Sequence, residues 1–570
     1  MPEAPPAPPG EAHVPVDDDL TVVSGTRQSN RKLDVLAIGI VALVVAIPLR
    51  GLFRAPGPPM EEGFMLVFPE RVLHGAVPNR DFLYLYGPGS LWALASTYKV
   101  FGVSLVSQRV FALGQELAII VGVFALARRW NRTLATVGGV CAALVILPFG
   151  LTALAWVGAV GIATVGLACG IAGYAQVNDR TARRWAIAAG ILLGVAITFR
   201  LDLVLAVGLA GAALLWRMER ARRIRVIVAF SCVVVPAYVV HVAMAGISDA
   251  WNGMVIEPVF HLRGGRGLPI PPSWGHLDGF LQKAGRLQQL SWPIPAPAFS
   301  QQLFLWFFLL CGVVAFVLWQ GIVAIRRDPT GVRARTLFVV GVFSLGMMPQ
   351  ALQRVDSAHL AWVGAVPFGF LPVALYELIT RRAPKWSTRG SLLGACAVGL
   401  ATVLFVMPAF TITRYTDYAL QTFNAHRHSY KIENDGRTFY YGKKDRADAG
   451  QMVLDAADKI AKPGQKLFVG PVNLRKTPYS DAYLYYMLPY LKPGTRYIEM
   501  DPGIANTDDS GLDRELASSD IAILSAIWDN WEEPNDSRKV GSDKAERVLA
   551  EHFCLVGSYL DLYKLYQRCR

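Results

Sequence analysis

The chain is dominated by apolar runs that are long enough to cross a lipid bilayer. A membrane-spanning helix needs about 20 consecutive, mainly apolar residues, and about eleven such runs occur here. They lie at 34–53, 107–127, 133–152, 155–177, 185–199, 201–216, 224–245, 302–325, 336–352, 358–379 and 390–412. Backbone polar groups in hydrocarbon must pair within the protein, which a helix achieves inside one segment. The runs therefore predict an α-helical polytopic membrane protein.

The composition agrees with a membrane protein and argues against a nucleic-acid partner. Hydrophobic residues make up 53% of the chain and charged residues only 17%, whereas soluble domains carry more charge. A net charge of +13 would indicate nucleic-acid binding in a soluble protein. Here the cations concentrate in short connections between apolar runs, where they orient helices in the membrane. The lipid bilayer is the expected partner, and nucleic acid is not.

The distribution of Lys and Arg predicts the orientation of the chain in the plasma membrane. Every second connection is strongly basic, near 128–132, 180–184, 217–225, 326–335 and 381–389, and such connections face the cytoplasm. Residues 1–33 join this set as a disordered cytoplasmic tail that ends in basic residues. The transmembrane domain is then 34–413. Its connections 54–106 and 246–301, and the turns near 200 and 354, are extracytoplasmic.

After the last apolar run the composition becomes that of a soluble domain, 414–570. Short apolar segments at 466–470 and 521–525 indicate buried strands, and the stretches between them indicate helices. This alternation predicts a C-terminal extracytoplasmic α/β domain. Cys554 and Cys569 lie in it and could bridge its last two strands, although two cysteines at this spacing do not decide the question.

Two turns on the predicted outer face place charged residues at membrane depth. The first contains Arg200 and Asp202 between two apolar runs, and the second contains Arg354, Asp356 and His359. Ionisable residues at such depth are costly and indicate a functional site by default. The alternative is a structural role, with each Arg paired to its own Asp and His359 a lone, satisfied histidine.

The connection 246–301 supplies a second set of basic side chains. Its residues His261, Arg263 and Arg266 surround a glycine-rich stretch. Guanidinium groups bind anionic head groups through paired hydrogen bonds, so these residues are alternative contacts for a lipid phosphate. The glycines equally indicate a mobile loop over a cavity.

The stretch 59–92, PMEEGFMLVFPERVLHGAVPNRDFLYLYGPGSLW, carries the carboxylates of greatest interest. Glu61 and Glu62 follow the first apolar run, and Asp81 stands beside Arg80. The Tyr-Gly-Pro-Gly sequence at 86–89 then leads into another apolar segment. Taken alone, the stretch also fits a solvated loop with an amphipathic helix. No Walker motif, Rossmann fingerprint or Cys/His zinc spacing occurs in the sequence.

This stretch resembles the first extracytoplasmic loop of GT-C glycosyltransferases. The resemblance rests on three segments: the acidic pair Glu61-Glu62, the sequence GAVPNRDF at 75–82 and the sequence YGPG at 86–89. The likeness is to the bacterial branch grouped with protein mannosyltransferases and lipid A sugar transferases. The chain departs from that pattern in three places: Glu61 replaces the usual Asp, Asn79 stands where Tyr is frequent, and Gly87-Pro88-Gly89 replaces Pro-Pro-Leu. The tail 414–570 resembles those of uncharacterised actinobacterial membrane proteins.

The resemblance implies a GT-C-like fold and a membrane glycosyltransferase. Such enzymes take a hexosyl or pentosyl group from a polyprenyl-phosphate carrier and transfer it outside the membrane to a glycan, lipid or protein of the cell envelope. Some relatives use a divalent metal, but no residue pattern here demands one, and we expect no certain cofactor.

The residues fit the chemistry that the resemblance implies. The acceptor hydroxyl needs a carboxylate as general base, for which Glu61 is the first choice, Asp81 the second, and Glu62 an orienting neighbour. The leaving phosphate needs cationic groups. The candidates for that role are Arg200, Arg354, His359 and Arg80, supported by Asp202 and Asp356.

Two other classes of function remain open from the sequence. A lipid or glycan transporter, or flippase, would also use intramembrane Arg and Asp, but would usually show internal repeats, and none is convincing here. An inactive scaffold of cell-envelope assembly would result if the change to Glu61 abolished the chemistry. Transfer of a labelled sugar separates an enzyme from both.

Overall fold

The computed structural model describes residues 27–279, 295–383, 385, 387–423, 429–529 and 532–569. Most of the predicted cytoplasmic tail, residues 1–26, lies outside these ranges. Residues 280–294 of the connection 246–301 also lie outside them.

The described residues contain ten helices that are long and apolar enough to cross a membrane, and a shorter apolar helix between them. The predicted α-helical polytopic fold with about eleven spans is therefore confirmed. The helices run Arg27–Ala46, Leu105–Ala127, Arg132–Ile146, Ala155–Ala175, Asp179–Phe199, Val204–Leu215 (the shorter one), Arg220–Ala245, Phe299–Arg327, Val332–Gln353, Ser357–Arg382 and Thr388–Phe405.

Burial separates central helices from peripheral ones. In Ser357–Arg382, 83% of the apolar stretch is buried within the protein, which places this helix at the centre of the bundle. In Arg220–Ala245 the share is 11%, so most of its apolar surface needs lipid as its solvent.

The predicted outer connection 54–106 is built from buried helices. The loop-one helix, Glu61–Leu73, buries Phe64, Leu66 and Phe68 almost completely. A second helix, Pro88–Phe101, begins at the Tyr-Gly-Pro-Gly sequence with Pro88 in its first turn, where proline fits a helix best. The burial does not fit a solvated loop with an amphipathic helix.

The shorter helices connect the spans and lead to the C-terminal part. Residues 247–266 of the connection 246–301 are helical, and the last of these helices carries Arg263 and Arg266. These short elements are Leu49–Arg54, Leu147–Phe149, Leu201–Leu203, Ile247–Trp251, Asn252–Leu262, Arg263–Arg266 and Ile412–Phe423.

The C-terminal part contains the predicted small α/β layer. The hairpin of β1 (Tyr430–Asn434) and β2 (Arg437–Tyr441) precedes a five-stranded sheet. The sheet strands are β3 (Lys466–Pro471), β4 (Lys492–Pro493), β5 (Ile521–Ser525), β6 (Phe553–Tyr559) and β7 (Tyr563–Arg568), in the order β4-β3-β5-β7-β6. β3 is parallel to β4 and β5, whereas β7 is antiparallel to β5 and β6.

The helices of this part are Lys444–Ile460, Tyr483–Met487, Leu512–Ala517, Asp536–Arg538 and Lys544–His552. The β1–β2 hairpin and the helix Lys444–Ile460 were not predicted from the sequence. A disulfide joins Cys554 near the start of β6 to Cys569 just after β7.

The C-terminal part is docked tightly on the loop-one helix. A Cβ atom at Gly63 would lie 2.3 Å from the backbone nitrogen of Tyr483, so only glycine allows this approach. The same nitrogen donates a hydrogen bond to Pro59 O at 3.2 Å. Arg437 and Glu70 form a salt bridge across the contact. The position of the loop-one helix therefore depends on the C-terminal part.

Candidate active site

A cavity of about 340 Å³ lies where the loop-one helix, the turns near 200 and 354, the segment 254–266 and the C-terminal part meet. Ligand sites in proteins are of this size and combine apolar walls with a few polar groups. The charged residues and histidine that line it are Glu61, Arg200, Asp202, Arg263, Arg266, Arg354, His359, Glu499 and Glu533.

Glu61 is the loop-one carboxylate that faces this cavity. It begins the loop-one helix, where the positive end of the helix dipole favours a carboxylate. Its Oε2 atom accepts a hydrogen bond from the hydroxyl of Tyr479. Burial raises the pKa of Glu61, and the hydrogen bond from Tyr479 opposes that rise. A carboxylate with a raised pKa is better matched to proton transfer near neutral pH than an ordinary one.

Glu62 points away from the cavity into the protein. Its two carboxylate oxygens accept hydrogen bonds of 2.8 Å from Nε and Nη2 of Arg109, and both side chains are at most 2% exposed. Arg109 also donates to the backbone oxygens of Leu52, Phe53 and Ala55. The pair therefore joins the end of the first span to the start of the loop-one helix.

Asp81 and Arg80 lie outside the cavity lining. Arg80 donates two hydrogen bonds to the Asp81 carboxylate, at 3.0 and 2.8 Å, and half of its side chain is exposed. Asp81 also accepts a hydrogen bond from the backbone nitrogen of Val77 at 2.7 Å. The hydrogen bond from Arg80 holds the pKa of Asp81 below its usual range, against a smaller effect of burial. Position and pKa both favour Glu61 over Asp81 as a base.

Arg200 enters the cavity from the first charged turn. Its Nε and Nη2 atoms donate to the two oxygens of Asp202 at 2.8 and 3.0 Å. The guanidinium group lies 4.2 Å from the centre of the Tyr86 ring, within the range of a cation–π contact.

The Tyr-Gly-Pro-Gly sequence explains how Tyr86 and Arg200 meet. A Cβ atom at Gly87 would lie 2.1 Å from the backbone oxygen of Thr198, and one at Gly89 would lie 2.3 Å from the Thr198 hydroxyl. The two glycines therefore let loop one pack directly on the turn that precedes Arg200.

Arg354 enters from the second charged turn and contacts two carboxylates. Its Nε donates to Asp356 at 2.8 Å, and its Nη1 donates to Glu533 at 2.8 Å. Asp356 is fully buried and also contacts His359 Nδ1 at 2.9 Å. Burial works to raise the pKa of Asp356, but His359 and Arg354 outweigh it and hold the pKa well below its usual range. Asp356 thus stays ionised and orients both side chains.

The basic residues of the segment 254–266 divide between the cavity and the surface. Arg263 and Arg266 line the cavity, and Arg266 forms salt bridges with Asp501 and Glu499. His261 instead pairs with Glu257 at 2.8 Å, is half exposed, and does not line the cavity.

The structure therefore brings together seven of the residues predicted from the sequence: Glu61, Arg200, Asp202, Arg263, Arg266, Arg354 and His359. Asp356 supports two of them from behind. Tyr479, Glu499 and Glu533 were not predicted, because they belong to the C-terminal part and reach the cavity only through its docking.

The described side chains of the cavity form no ready-made site for a divalent metal ion. Within the described ranges, no three His, Cys, Asp or Glu side chains converge to hold a metal ion. The carboxylates of Glu61, Asp202 and Glu533 already accept hydrogen bonds from Tyr479, Arg200 and Arg354 respectively. We derive no chemical step through a metal.

No model of a known protein family and no curated protein matches this chain. Its fold is similar to that of apo ArnT from Cupriavidus metallidurans, with a TM-score of 0.51 and 14% identity, over 93% of this chain and 98% of that one. At this identity the likeness concerns the fold alone, and it agrees with the GT-C-like fold that loop one implied.

Two further solved structures are similar over most of this chain. ArnT from Cupriavidus metallidurans bound to undecaprenyl phosphate has a TM-score of 0.49 and 15% identity, over 93% of this chain and 97% of that one. An oligosaccharyltransferase from Archaeoglobus fulgidus, in complex with Zn and sulfate, has a TM-score of 0.47 and 11% identity, over 92% of this chain and 71% of that one.

Proposed function

We propose that the chain is a GT-C-type membrane glycosyltransferase that transfers a sugar from a polyprenyl-phosphate carrier to an acceptor outside the cytoplasm. The observation that carries the proposal is one cavity lined by Glu61 and by Arg200, Arg266 and Arg354. These residues come from separate connections, all of which the basic-residue distribution assigns to the same membrane face. The fold likeness to ArnT and the resemblance of loop one support it.

In the proposed reaction Glu61 acts as general base. The acceptor hydroxyl gives its proton to the Glu61 carboxylate as its oxygen attacks the anomeric carbon of the donor. The bond between that carbon and the phosphate oxygen breaks, and the electron pair leaves with the phosphate. Attack from the face opposite the leaving group inverts the anomeric centre. A phosphate leaves without a general acid, so one carboxylate suffices, unlike the two-carboxylate arrangement of glycosidases.

The guanidinium groups of Arg200 and Arg354 stabilise the charge that develops on the phosphate. A planar guanidinium binds phosphate through two parallel hydrogen bonds only when its orientation is fixed. Asp202 and Asp356 fix it, each from a position two residues further along the chain. The Arg354 guanidinium already donates a hydrogen bond to the Glu533 carboxylate. A phosphate that binds Arg354 therefore has to share the guanidinium with Glu533 or displace the Glu533 carboxylate from it.

The predicted topology places this reaction outside the cytoplasm. The N-terminus is then cytoplasmic, and the C-terminal part is extracytoplasmic. The disulfide between Cys554 and Cys569 supports this arrangement, because disulfides persist in oxidising compartments. The acceptor in this proposal is a glycan, lipid or protein of the cell envelope.

The test is sugar transfer by the purified protein in lipid nanodiscs. The protein is incubated with radiolabelled polyprenyl-phosphate sugars and an envelope fraction as acceptor, and label in the acceptor is measured. We expect transfer that depends on time and on protein, with release of polyprenyl phosphate. Carrier-linked sugar that crosses a liposome membrane without being cleaved would instead establish a transporter.

A further inference from the structure

Two carboxylates of the C-terminal part, Glu499 and Asp501, flank a strained residue at the cavity wall. Met500 between them has a φ of 53°, a left-handed conformation that a bulky residue rarely adopts. Such strain costs about 1–3 kcal/mol and persists where the surrounding structure enforces it, often at functional sites. Here it accompanies two carboxylates held beside the same arginine, Arg266.

The two carboxylates have different surroundings. Asp501 is 1% exposed, forms a close salt bridge with Arg266 and does not line the cavity. Glu499 is 5% exposed and lines the cavity. Its Oε2 atom lies 3.8 Å from Arg266 Nη1, too far for a hydrogen bond, and neither carboxylate oxygen accepts one from the described residues. Asp501 is thus the nearer partner of Arg266, whereas Glu499 has hydrogen-bonding capacity to offer to the cavity that it lines.

A buried carboxyl group without hydrogen-bond donors is unusual and costly, so its environment indicates what it binds. Burial, and then the neighbouring charge of Asp501, raise the pKa of Glu499 well above its ordinary value. A further anion such as phosphate is a poor partner for this group. Neutral hydroxyl groups suit it, because they donate hydrogen bonds to either protonation state.

The neighbouring wall suits a sugar ring. Tyr86 lines the same cavity, and its aromatic surface can pack against the apolar face of a pyranose or furanose. Arg200 lies against the Tyr86 ring and is one of the two arginines assigned to the phosphate. Because Tyr86, Arg200 and Glu499 all line this one cavity, a sugar joined to that phosphate lies in the same cavity as Glu499.

We propose that Glu499 binds hydroxyl groups of the transferred sugar and so helps to determine which sugar the protein accepts. The proposal rests on the proposed glycosyltransferase function and assigns a specificity role to the C-terminal part.

The experiment measures the contribution of the sugar to donor affinity. Farnesyl phosphate, which has no sugar, and farnesyl-phosphate glycosides of mannose, glucose, galactose and arabinose are titrated into the full-length protein in nanodiscs. We expect at least one glycoside to bind the wild type more tightly than farnesyl phosphate does. Glu499→Ala, which removes both oxygens of the side chain, should weaken that glycoside about tenfold and leave farnesyl phosphate unchanged.

The control is Asp508→Asn, which changes an exposed carboxylate nearby in the same part of the chain and should alter neither affinity. Glu499→Gln keeps a hydrogen-bonding group of the same size, and it should retain more of the glycoside affinity than Glu499→Ala does. Equal binding of every glycoside and farnesyl phosphate to the wild type would overturn the proposal. So would unchanged glycoside affinity in Glu499→Ala, or an equal loss of glycoside and farnesyl phosphate affinity in that variant. A wild type that does not bind farnesyl phosphate would instead contradict the proposed function.

Discussion

The hydroxyl of Tyr479 donates a hydrogen bond to the carboxylate of Glu61, although the two residues are 418 positions apart. The same hydroxyl accepts a hydrogen bond from the backbone nitrogen of Met60 at 3.4 Å. Tyr479 is held in turn by an edge contact with Trp528, with 4.7 Å between ring centres. The C-terminal part therefore completes the surroundings of the proposed base.

This contact predicts a shift in the pH dependence of activity. Burial raises the pKa of Glu61, and the hydrogen bond from Tyr479 lowers it. Tyr479→Phe keeps the ring but removes that hydrogen bond, so the pKa of Glu61 should rise further. Because the base acts in its ionised form, the acid limb of the pH profile of kcat/KM should move to higher pH. An unmoved limb would mean that Glu61 does not titrate in that limb.

Removal of one partner of the buried Glu62–Arg109 pair is expected to lower the stability of the protein. Removing one partner of a buried ion pair leaves an uncompensated charge and costs about 3–5 kcal/mol. Arg109→Met should therefore lower the thermal unfolding temperature of the detergent-solubilised protein clearly. Arg80→Met, at an exposed pair on the same loop, should change it little, since exposed pairs contribute about 0–1 kcal/mol. Equal effects would show that the Glu62–Arg109 pair has no special structural role.

Substitution of Arg200 or Arg354 is expected to reduce function while the protein still folds. Substitution by Lys keeps the charge but removes the planar pair of donors. Arg200→Lys and Arg354→Lys should each weaken donor binding or turnover at least ~10-fold, about 1.4 kcal/mol. The double variant should lose less than the sum of the two if both groups bind one phosphate.

Arg80→Lys is the matched control for these variants, because Arg80 also pairs with a local Asp but lies outside the cavity lining. It should behave as the wild type does. Additive losses that follow thermal stability rather than donor affinity would show that the cavity arginines are structural. The phosphate site would then have to be sought at Arg263 and Arg266.

Substitution of Glu533 is expected to increase the affinity for polyprenyl phosphate. Its carboxylate contacts the same Arg354 guanidinium that the proposed phosphate needs, and it is only 3% exposed. Glu533→Gln removes the competing negative charge while keeping the size of the side chain. Polyprenyl phosphate, measured by titration into nanodiscs, should bind about tenfold more tightly, or ~1.4 kcal/mol. Weaker binding would mean that Glu533 positions Arg354 rather than competing for it.

The sequence predicted the helices and part of the cavity because the relevant signals are local. Apolar runs of bilayer length define the spans, and Arg200 and Arg354 are conspicuous because charges at membrane depth are rare. Local signals do not separate the adjacent carboxylates Glu61 and Glu62, and Glu61 was preferred only once the resemblance of loop one had been considered. Which of them faces the cavity depends on the rotation of a buried helix, which Arg109 fixes from another segment.

Tyr479, Glu499 and Glu533 illustrate the limit of local signals. Each belongs to the C-terminal part, more than 60 residues beyond the last membrane-spanning helix, and nothing near them in sequence indicates a cavity. Their arrangement follows from the close packing of Gly63 against Tyr483 and from the strained turn at Met500. Both features depend on contacts between distant segments, which periodicity and composition do not record.

The most direct test of the account is the turnover of Glu61→Gln, measured with a polyprenyl-phosphate sugar that the wild type uses. Gln keeps the size of Glu61 and can still contact Tyr479, but it cannot take a proton from the acceptor. Turnover should fall by roughly 10²–10⁴-fold, the scale of general-base removal, with unchanged donor affinity and thermal stability. Glu433→Gln, at an exposed glutamate of the C-terminal part, is the control. Wild-type turnover in Glu61→Gln would contradict the assignment of Glu61 as the base.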